Sequence, residues 1–172
     1  MRFRGTAYRA HHPRWSFLPL SGDGAAIHGG RFNPIGTPAL YLALDPTTAI
    51  KEANQGFARK MEPYVLCSYG ADIADVVNLA SPRGRRAAGV EESLLAAGWF
   101  AHIAAGTKPP QWTLVEDLIA KGAAGAIVPS YAPGATDEDR NLVLWRWGPK
   151  RPHKIEVFDP SGRLPKNQLS WD

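Results

Sequence analysis

Two rhythms of hydrophobic and polar positions divide the chain. Over residues 39–44 the apolar side chains alternate, so Leu40, Leu42 and Leu44 share one face of an extended segment while Ala39, Tyr41 and Ala43 share the other. Residues 3–10, 64–71, 76–79 and 155–158 read as further strands, the second of them rich in Tyr, Val and Leu with Cys67 inside it. Residues 126–128 form a short apolar strand stopped by Pro129, with Ser130 immediately after it. Residues 141–147 form a longer strand in which Leu142, Leu144 and Arg146 face one way and Asn141, Val143, Trp145 and Trp147 the other.

The second rhythm is helical, with apolar residues three and four apart. Asp45-Pro46 starts one helix, with aspartate as N-cap and proline at the first helical position. In it Ile50, Ala53 and Phe57 fall on one stripe, Glu52 points away from that stripe, and Gly56 with Met61-Glu62-Pro63 ends the element. Ser81-Pro82 starts another, weakened by Gly84 and Gly89. Residues 91–105 predict a packed helix with Leu94, Leu95, Trp99 and Ile103, interrupted at Gly98. Residues 112–121 predict a better one, with Leu114, Val115, Leu118 and Ile119 as its stripe and Gly122 as its stop. Residues 13–27, punctuated by Pro19, Gly22 and Gly24, read as a loop, and so does the acidic segment 133–140. The tail from Asp159 is expected to be loosely held.

Residues 28–52 concentrate the chemistry. Gly29-Gly30 delivers Arg31 on a permissive backbone, Pro34-Ile35-Gly36 makes a tight turn, and Tyr41 stands on a strand between two alanines with open space beside its ring. Glu52 follows on the helix, so Arg31, Tyr41 and Glu52 come from three successive elements and can converge on one cleft. Taken singly, each has an ordinary alternative: a solvated arginine, a packing tyrosine, a wet glutamate.

Composition narrows the classes. A chain of 172 residues, 44% hydrophobic and 21% charged, suits one globular domain over 1–172. A net charge of +4 allows nucleic acid, an acidic protein or a polyphosphate ligand and selects none of them. A single cysteine excludes an internal disulfide framework and a CxxC zinc site. Adjacent His11 and His12 point to opposite sides of an extended chain, so no metal site is expected. His102 stands alone, and the cluster Arg83, Arg85 and Arg86 reads as a solvated face or an acidic docking patch. There is no apolar leader segment and no run long enough to span a bilayer, which makes the cytoplasm the expected location and a membrane partner unexpected.

The blocks GGRFNPIG, ALYLAL and AIKEA, in that order, resemble the RES domain, a toxin family named for its arginine, glutamate and serine. The resemblance extends from about Tyr8 to Trp145, carries Arg9, Ser130 and Asn141 with it, and leaves residues 81–106 unmatched. It implies an α+β, ADP-ribosyltransferase-like fold with two small β-sheets flanking an NAD⁺ cleft. It also implies a toxin of a type II toxin–antitoxin pair, with an antitoxin that blocks the cleft and carries a helix-turn-helix. On that pattern Glu52, Arg31, Tyr41 and Ser130 are the catalytic candidates, and Arg9, Arg31, Tyr41, Ser130 and Asn141 the NAD⁺-binding ones.

The residue types suit that chemistry independently. Cleaving the nicotinamide–ribose bond passes through an oxocarbenium-like state, which a carboxylate such as Glu52 stabilises. Arg31 offers a planar, permanent cation for the diphosphate, Tyr41 an aromatic face for nicotinamide, and Ser130 and Asn141 hydrogen bonds to orient the substrate. NAD⁺ would be a consumed substrate, since no GxGxxG stands at a strand–helix junction. The expected activity is mono-ADP-ribosylation of a protein acceptor. The alternatives are an NAD⁺ glycohydrolase or phosphorylase, a basic nucleic-acid-binding or ribonuclease toxin, and a non-catalytic nucleotide-binding module. Direct nucleic-acid binding is not expected.

Overall fold

The computed structural model describes residues 1–54 and 61–171. Phe57 and Gly56, assigned to the glutamate helix and its end, lie outside the described residues. The strands are β1 (Phe3–His11), β2 (Leu40–Ala43), β3 (Val65–Ile73), β4 (Val76–Asn78), β5 (Gly125–Pro129), β6 (Arg140–Leu144) and β7 (His153–Val157). The helices are α1 (Asp23–His28), α2 (Pro46–Ala53), α3 (Pro82–Ala88), α4 (Glu92–Ala96), α5 (Trp99–Ala104) and α6 (Pro110–Ala120). The fold is α+β, as the sequence implies. None of the described helices is long and apolar enough to cross a membrane.

Among the described residues the strands hydrogen-bond into one sheet in the order β4-β5-β6-β2-β1-β3-β7. The expectation of two separate small sheets is therefore modified. A four-stranded lobe, β4-β5-β6-β2, meets a three-stranded lobe, β1-β3-β7, through the register pair Tyr8↔Ala43. Both lobes feed one core: Leu40, Leu42, Leu142 and Leu144 from the first meet Ala7, Tyr69, Ile73 and Ile155 from the second. A second core covers the opposite face of the four-stranded lobe, where Ala39, Val128 and Val143 pack with Leu95, Val115 and Leu118 of the helices. The alternation over residues 39–44 thus sends the leucines to one core and Ala39 and Tyr41 toward the other. Both faces of β2 are covered, which is why every residue of that strand except Tyr41 is buried.

Residues 13–27 contain a 3₁₀ turn at Pro13–Trp15 and the short helix α1, so they are not a plain loop. The strand expected over 141–147 ends at Leu144, because the amides of Trp145 and Arg146 both bond the Ala124 carbonyl (2.8 and 3.0 Å). Two amides on one carbonyl is a bulge, and it shifts the alternation by one residue. Trp147 consequently joins the first core, while Trp145 stays with the second. The helix expected over 91–105 is two short ones, α4 and α5, parted at Ala97-Gly98. Leu95 is buried, but Phe100 on α5 is 70% exposed. The tail is tied down at its start, where Asp159 accepts the amides of Arg163 (2.8 Å) and Leu164 (3.0 Å) and Leu164 packs on the first core.

Helix α2 starts as its sequence dictates. Asp45 accepts the Thr48 amide at 2.9 Å and Pro46 occupies the first turn, a cap that stabilises a helix by about 1 kcal/mol. Its inward face is not the expected Ile50–Ala53 stripe. Thr48 and Ala49 are the buried residues and Ala53 is exposed, with Thr48 and Lys51 anchored on the Asp139 carboxylate beside the buried Ala49. Glu52, four residues after Thr48 and three after Ala49, shares their face and so turns inward.

Candidate functional site

A cavity of about 350 Å³ opens where β1 and β2 part, and Arg9, Arg31, Tyr41, Glu52 and Asn141 all line it. Tyr8, Trp99 and Tyr131 add aromatic walls. Ser130 is not part of the wall but reaches it through Glu52.

Arg31 sits at the corner of a tight turn. Gly30 and Asn33 exchange backbone hydrogen bonds around it (3.0 and 3.4 Å), and the indole N–H groups of Trp112 and Trp145 donate to the carbonyls of Gly30 and Phe32 on either side (both 2.8 Å). Gly29 needs its positive φ of 69°. Gly30 is required by space, since a Cβ there would come within 2.7 Å of both Tyr41 Oη and Asn33 Oδ1. The next turn closes as read from Pro34-Ile35-Gly36, with Gly36 at φ 87° and the Thr37 amide on the Pro34 carbonyl (3.1 Å).

The Arg31 guanidinium lies 4.3 Å from the centre of the Tyr131 ring, a cation–π stack. Its Nη1 donates to the carbonyls of Leu95 (3.1 Å) and Ala97 (2.8 Å) at the α4–α5 break. Gln111 Nε2, fully buried at the start of α6, donates to the same two carbonyls (3.3 and 2.7 Å). Burial lowers the Arg31 pKa, against the opposing pull of Tyr131, Glu52 and Tyr41, and an arginine remains a cation under such conditions. Residues 81–106, which the resemblance read from the sequence leaves unmatched, thus supply the two carbonyls on which the arginine is seated.

Glu52 is held from across the sheet. Its Oε1 accepts from Ser130 Oγ at 2.7 Å and from Asn141 Nδ2 at 2.5 Å. These donors come from the end of β5 and the start of β6, which pair in the register Val128↔Asn141. The Asn141 amide must turn its nitrogen to the carboxylate, and this leaves its buried Oδ1 without a partner among the described residues. Ser130 and Asn141, read from sequence as groups that orient the substrate, therefore serve first as groups that orient Glu52.

Tyr41 is also more constrained than its alanine neighbours suggest. Its hydroxyl accepts the Phe32 amide (3.0 Å) and donates to Asn33 Oδ1 (2.8 Å), and burial raises its pKa. The open space expected beside its ring is taken at the hydroxyl end by Gly30. Arg9 lines the cavity and donates to the Ser21 carbonyl at 3.0 Å, with its pKa lowered by burial. Of the six residues singled out from sequence, five line one cavity and the sixth bonds one of them.

Other candidates lie elsewhere. His11 is buried and bonds the Tyr69 hydroxyl, whose own proton goes to the Pro19 carbonyl (3.0 Å), so the histidine must donate from Nε2. His12 Nδ1 accepts the Arg14 amide, and His102 Nδ1 lies 3.1 Å from Thr107 Oγ1. Among the described residues no three His, Cys, Asp or Glu side chains gather as a metal-holding group. In the basic cluster, Arg85 folds back onto the Leu79 and Ala80 carbonyls and Glu92, leaving Arg83 and Arg86 exposed.

Sequence reasoning missed Asn33, Trp99, Tyr131 and Asp139. Asn33 is fully buried, and its amide donates to the carbonyls of Ala25, Pro34 and Thr37. It stood in plain view within GGRFNPIG, where a buried asparagine holding three carbonyls is a recognisable loop device. Tyr131 was legible as the aromatic neighbour of Ser130. Trp99 carried no distinguishing signal.

An α+β fold with an arginine and an anchored glutamate facing one cavity between two sheet lobes defines a class, that of compact cleft proteins. The RES domain family model matches residues 6–167, and the chain belongs to that family. Its structure is similar to a chain of the M. tuberculosis MbcT–MbcA toxin–antitoxin complex, with a TM-score of 0.60 and 23% identity over 92% of this chain and 84% of that one. No curated protein sequence matches it.

Proposed function

We propose that this protein is the toxin of a toxin–antitoxin pair and that its cavity cleaves the nicotinamide–ribose bond of NAD⁺, passing ADP-ribose to a cellular protein. The observation that carries the reading is the facing pair: Glu52 held by Ser130 and Asn141, and Arg31 seated on Tyr131, across one cavity. Membership of the RES family and likeness to a toxin–antitoxin component support it.

In this mechanism Arg31 takes the diphosphate. Its Nη1 is committed to main-chain carbonyls, so Nε and Nη2 are the groups that grip the substrate. The volume of about 350 Å³ is near the lower end of the ligand-pocket range, about 300–1,000 Å³, so the nicotinamide–ribose half is enclosed and the adenosine lies toward the mouth. As the C–N bond breaks, its electron pair leaves with nicotinamide, which departs neutral, and positive charge develops on the ribose. Glu52 stabilises that charge at close range, where low dielectric strengthens the interaction. Asn141 contributes through its Nδ2, which with Ser130 Oγ holds the Glu52 carboxylate in place as the charge develops. The acceptor's nucleophile then attacks the ribose carbon and loses its proton to solvent. An antitoxin that covers this mouth, with a helix-turn-helix of its own, silences the toxin in the cytoplasm.

The test follows the ADP-ribose. The purified protein is given NAD⁺ labelled in the adenosine half, with cell lysate, with phosphate, or with buffer alone. Label on lysate protein supports transfer. Label recovered only as free ADP-ribose or as its 1-phosphate would replace the transferase with a glycohydrolase or a phosphorylase.

A further inference from the structure

Asp139 is a buried carboxylate that does not line the cavity, yet Lys51, Thr136 and Thr48 all donate to it. Lys51 Nζ donates to its two oxygens at 2.8 and 3.0 Å, and Thr136 donates from its amide (2.6 Å) and hydroxyl (2.9 Å). Thr48 Oγ1 lies 2.5 Å away, sharing its one proton between Asp139 and the capping Asp45. These donors, Lys51 first, hold the Asp139 carboxyl well below the usual carboxylate range. Burying a carboxylate is costly unless it is paired and fully hydrogen-bonded. The acidic segment 133–140, read from the sequence as a loop, is therefore knotted at Asp139, with Asp137 and Glu138 left exposed.

The position of this knot matters. Lys51 and Thr48 are the residues one before and four before Glu52. The Asp139 carbonyl accepts the Ser130 amide at 2.9 Å, which fixes the backbone of the residue that bonds Glu52. Asn141, the other donor to Glu52, stands two residues further along the same strand entry. Four residues of helix rise about 6 Å and two residues of strand about 6.8 Å. Thr48 to Glu52 and Asp139 to Asn141 are thus matched rulers, and the two contacts Asp139–Thr48 and Asn141–Glu52 lock helix against strand in one register.

We propose that Asp139 is a positioning residue for the reaction: by gripping Thr48 and Lys51 it sets the helix that carries Glu52 at the height where Ser130 and Asn141 can hold the carboxylate. Only the kinetic part of its test rests on the proposed NAD⁺ cleavage.

Asp139→Asn keeps the shape and loses the charge. It should lower kcat for nicotinamide release by about 10-fold while KM stays within about twofold, because the residue acts on the reacting group and not on binding. Ser130→Ala with Asp139→Asn should be no more than about twofold worse than Ser130→Ala alone, because both changes disable the same hold on Glu52. A residue that merely stabilises the fold would give losses that multiply. Amide hydrogen exchange needs no substrate: protection of the Ser130 amide should fall by about 10-fold in Asp139→Asn while the β1–β3 amides stay unchanged. Should Asp139→Asn fold poorly, Thr48→Val tests the same grip with the Lys51–Asp139 pair retained, and about a threefold loss in kcat is expected. Wild-type kcat in Asp139→Asn, multiplicative losses, or unchanged Ser130 protection would each overturn the proposal. A wild-type protein that releases no nicotinamide would remove the proposed function, and the exchange experiment would still decide the clamp.

Discussion

Glu52 and Arg31 face the same cavity but are held by different parts of the chain and by different chemistry. Among the described residues Glu52 is held by side chains, Ser130 and Asn141 directly and Asp139 through its helix. Arg31 is held by main-chain carbonyls at a helix break and by an aromatic ring. A side-chain hold depends on residue type at each position and is broken by single conservative changes. A main-chain hold depends on where two short helices end, and tolerates most changes that leave the break in place. The anionic half of the site should therefore be brittle to substitution and the cationic half tolerant, except at Arg31 itself and at the glycines that deliver it.

The largest expected effect is at Glu52. Glu52→Gln keeps the volume and removes the charge, and should lower activity on the order of 10³-fold, with growth arrest on expression abolished. Arg31→Lys comes next, about 10²-fold, because an ammonium cannot bridge both carbonyls and stack on Tyr131 at once. A loss from Gln111→Leu as large as that from Glu52→Gln would show that the main-chain seat confers no tolerance. Gly30→Ala forces a Cβ against Tyr41 Oη and Asn33 Oδ1 and should destabilise the fold by about 1–3 kcal/mol, read from urea midpoints. Gln111→Leu removes two donors to the Leu95 and Ala97 carbonyls together with an oxygen that has no partner among the described residues. Stability should change by less than about 1 kcal/mol, and activity should fall only about threefold.

The smallest effect on activity is expected at His11, outside the cavity, where the readout is pH. Burial, and then the neighbouring Arg9 cation, push its imidazole down to about 4. In the unfolded chain it titrates near 6.5, so as pH falls the unfolded state takes up the proton first. The neutral, buried His11 therefore supports the fold fully above about pH 6.5. That support declines between 6.5 and 4, by up to about 3 kcal/mol. His11→Phe should flatten this slope in urea titrations while leaving release of nicotinamide at pH 7 within about twofold.

The same contrast explains what was legible in the sequence. The Glu52 side could be read because residue types carry it: Asp45-Pro46 announces the helix, Val128-Pro129-Ser130 the end of a strand, and Asn141 the start of another. The Arg31 side could be read only as far as the glycines. Its seat is two carbonyls, which every residue has, set by a break between α4 and α5 that no local pattern announces beyond Gly98. The strands were found because period-two patterns are local. The joining of both lobes into one sheet at Tyr8↔Ala43 depends on a long-range pairing that composition does not encode. The orientation of α2 is not legible from an apolar stripe because its seat is partly polar: Thr48 and Lys51 on Asp139 fix the helix beside the buried Ala49.

The most direct measurement is nicotinamide release from NAD⁺ by the purified protein, with Glu52→Gln purified alongside and checked for an unchanged fold. Wild-type release, with the variant reduced on the order of 10³-fold, is the predicted result. Release by both proteins at the same rate would mean that the anchored carboxylate is not the reacting group. No release from folded wild-type protein, with lysate and phosphate supplied, would contradict NAD⁺ cleavage and leave the cavity as a site for holding a nucleotide.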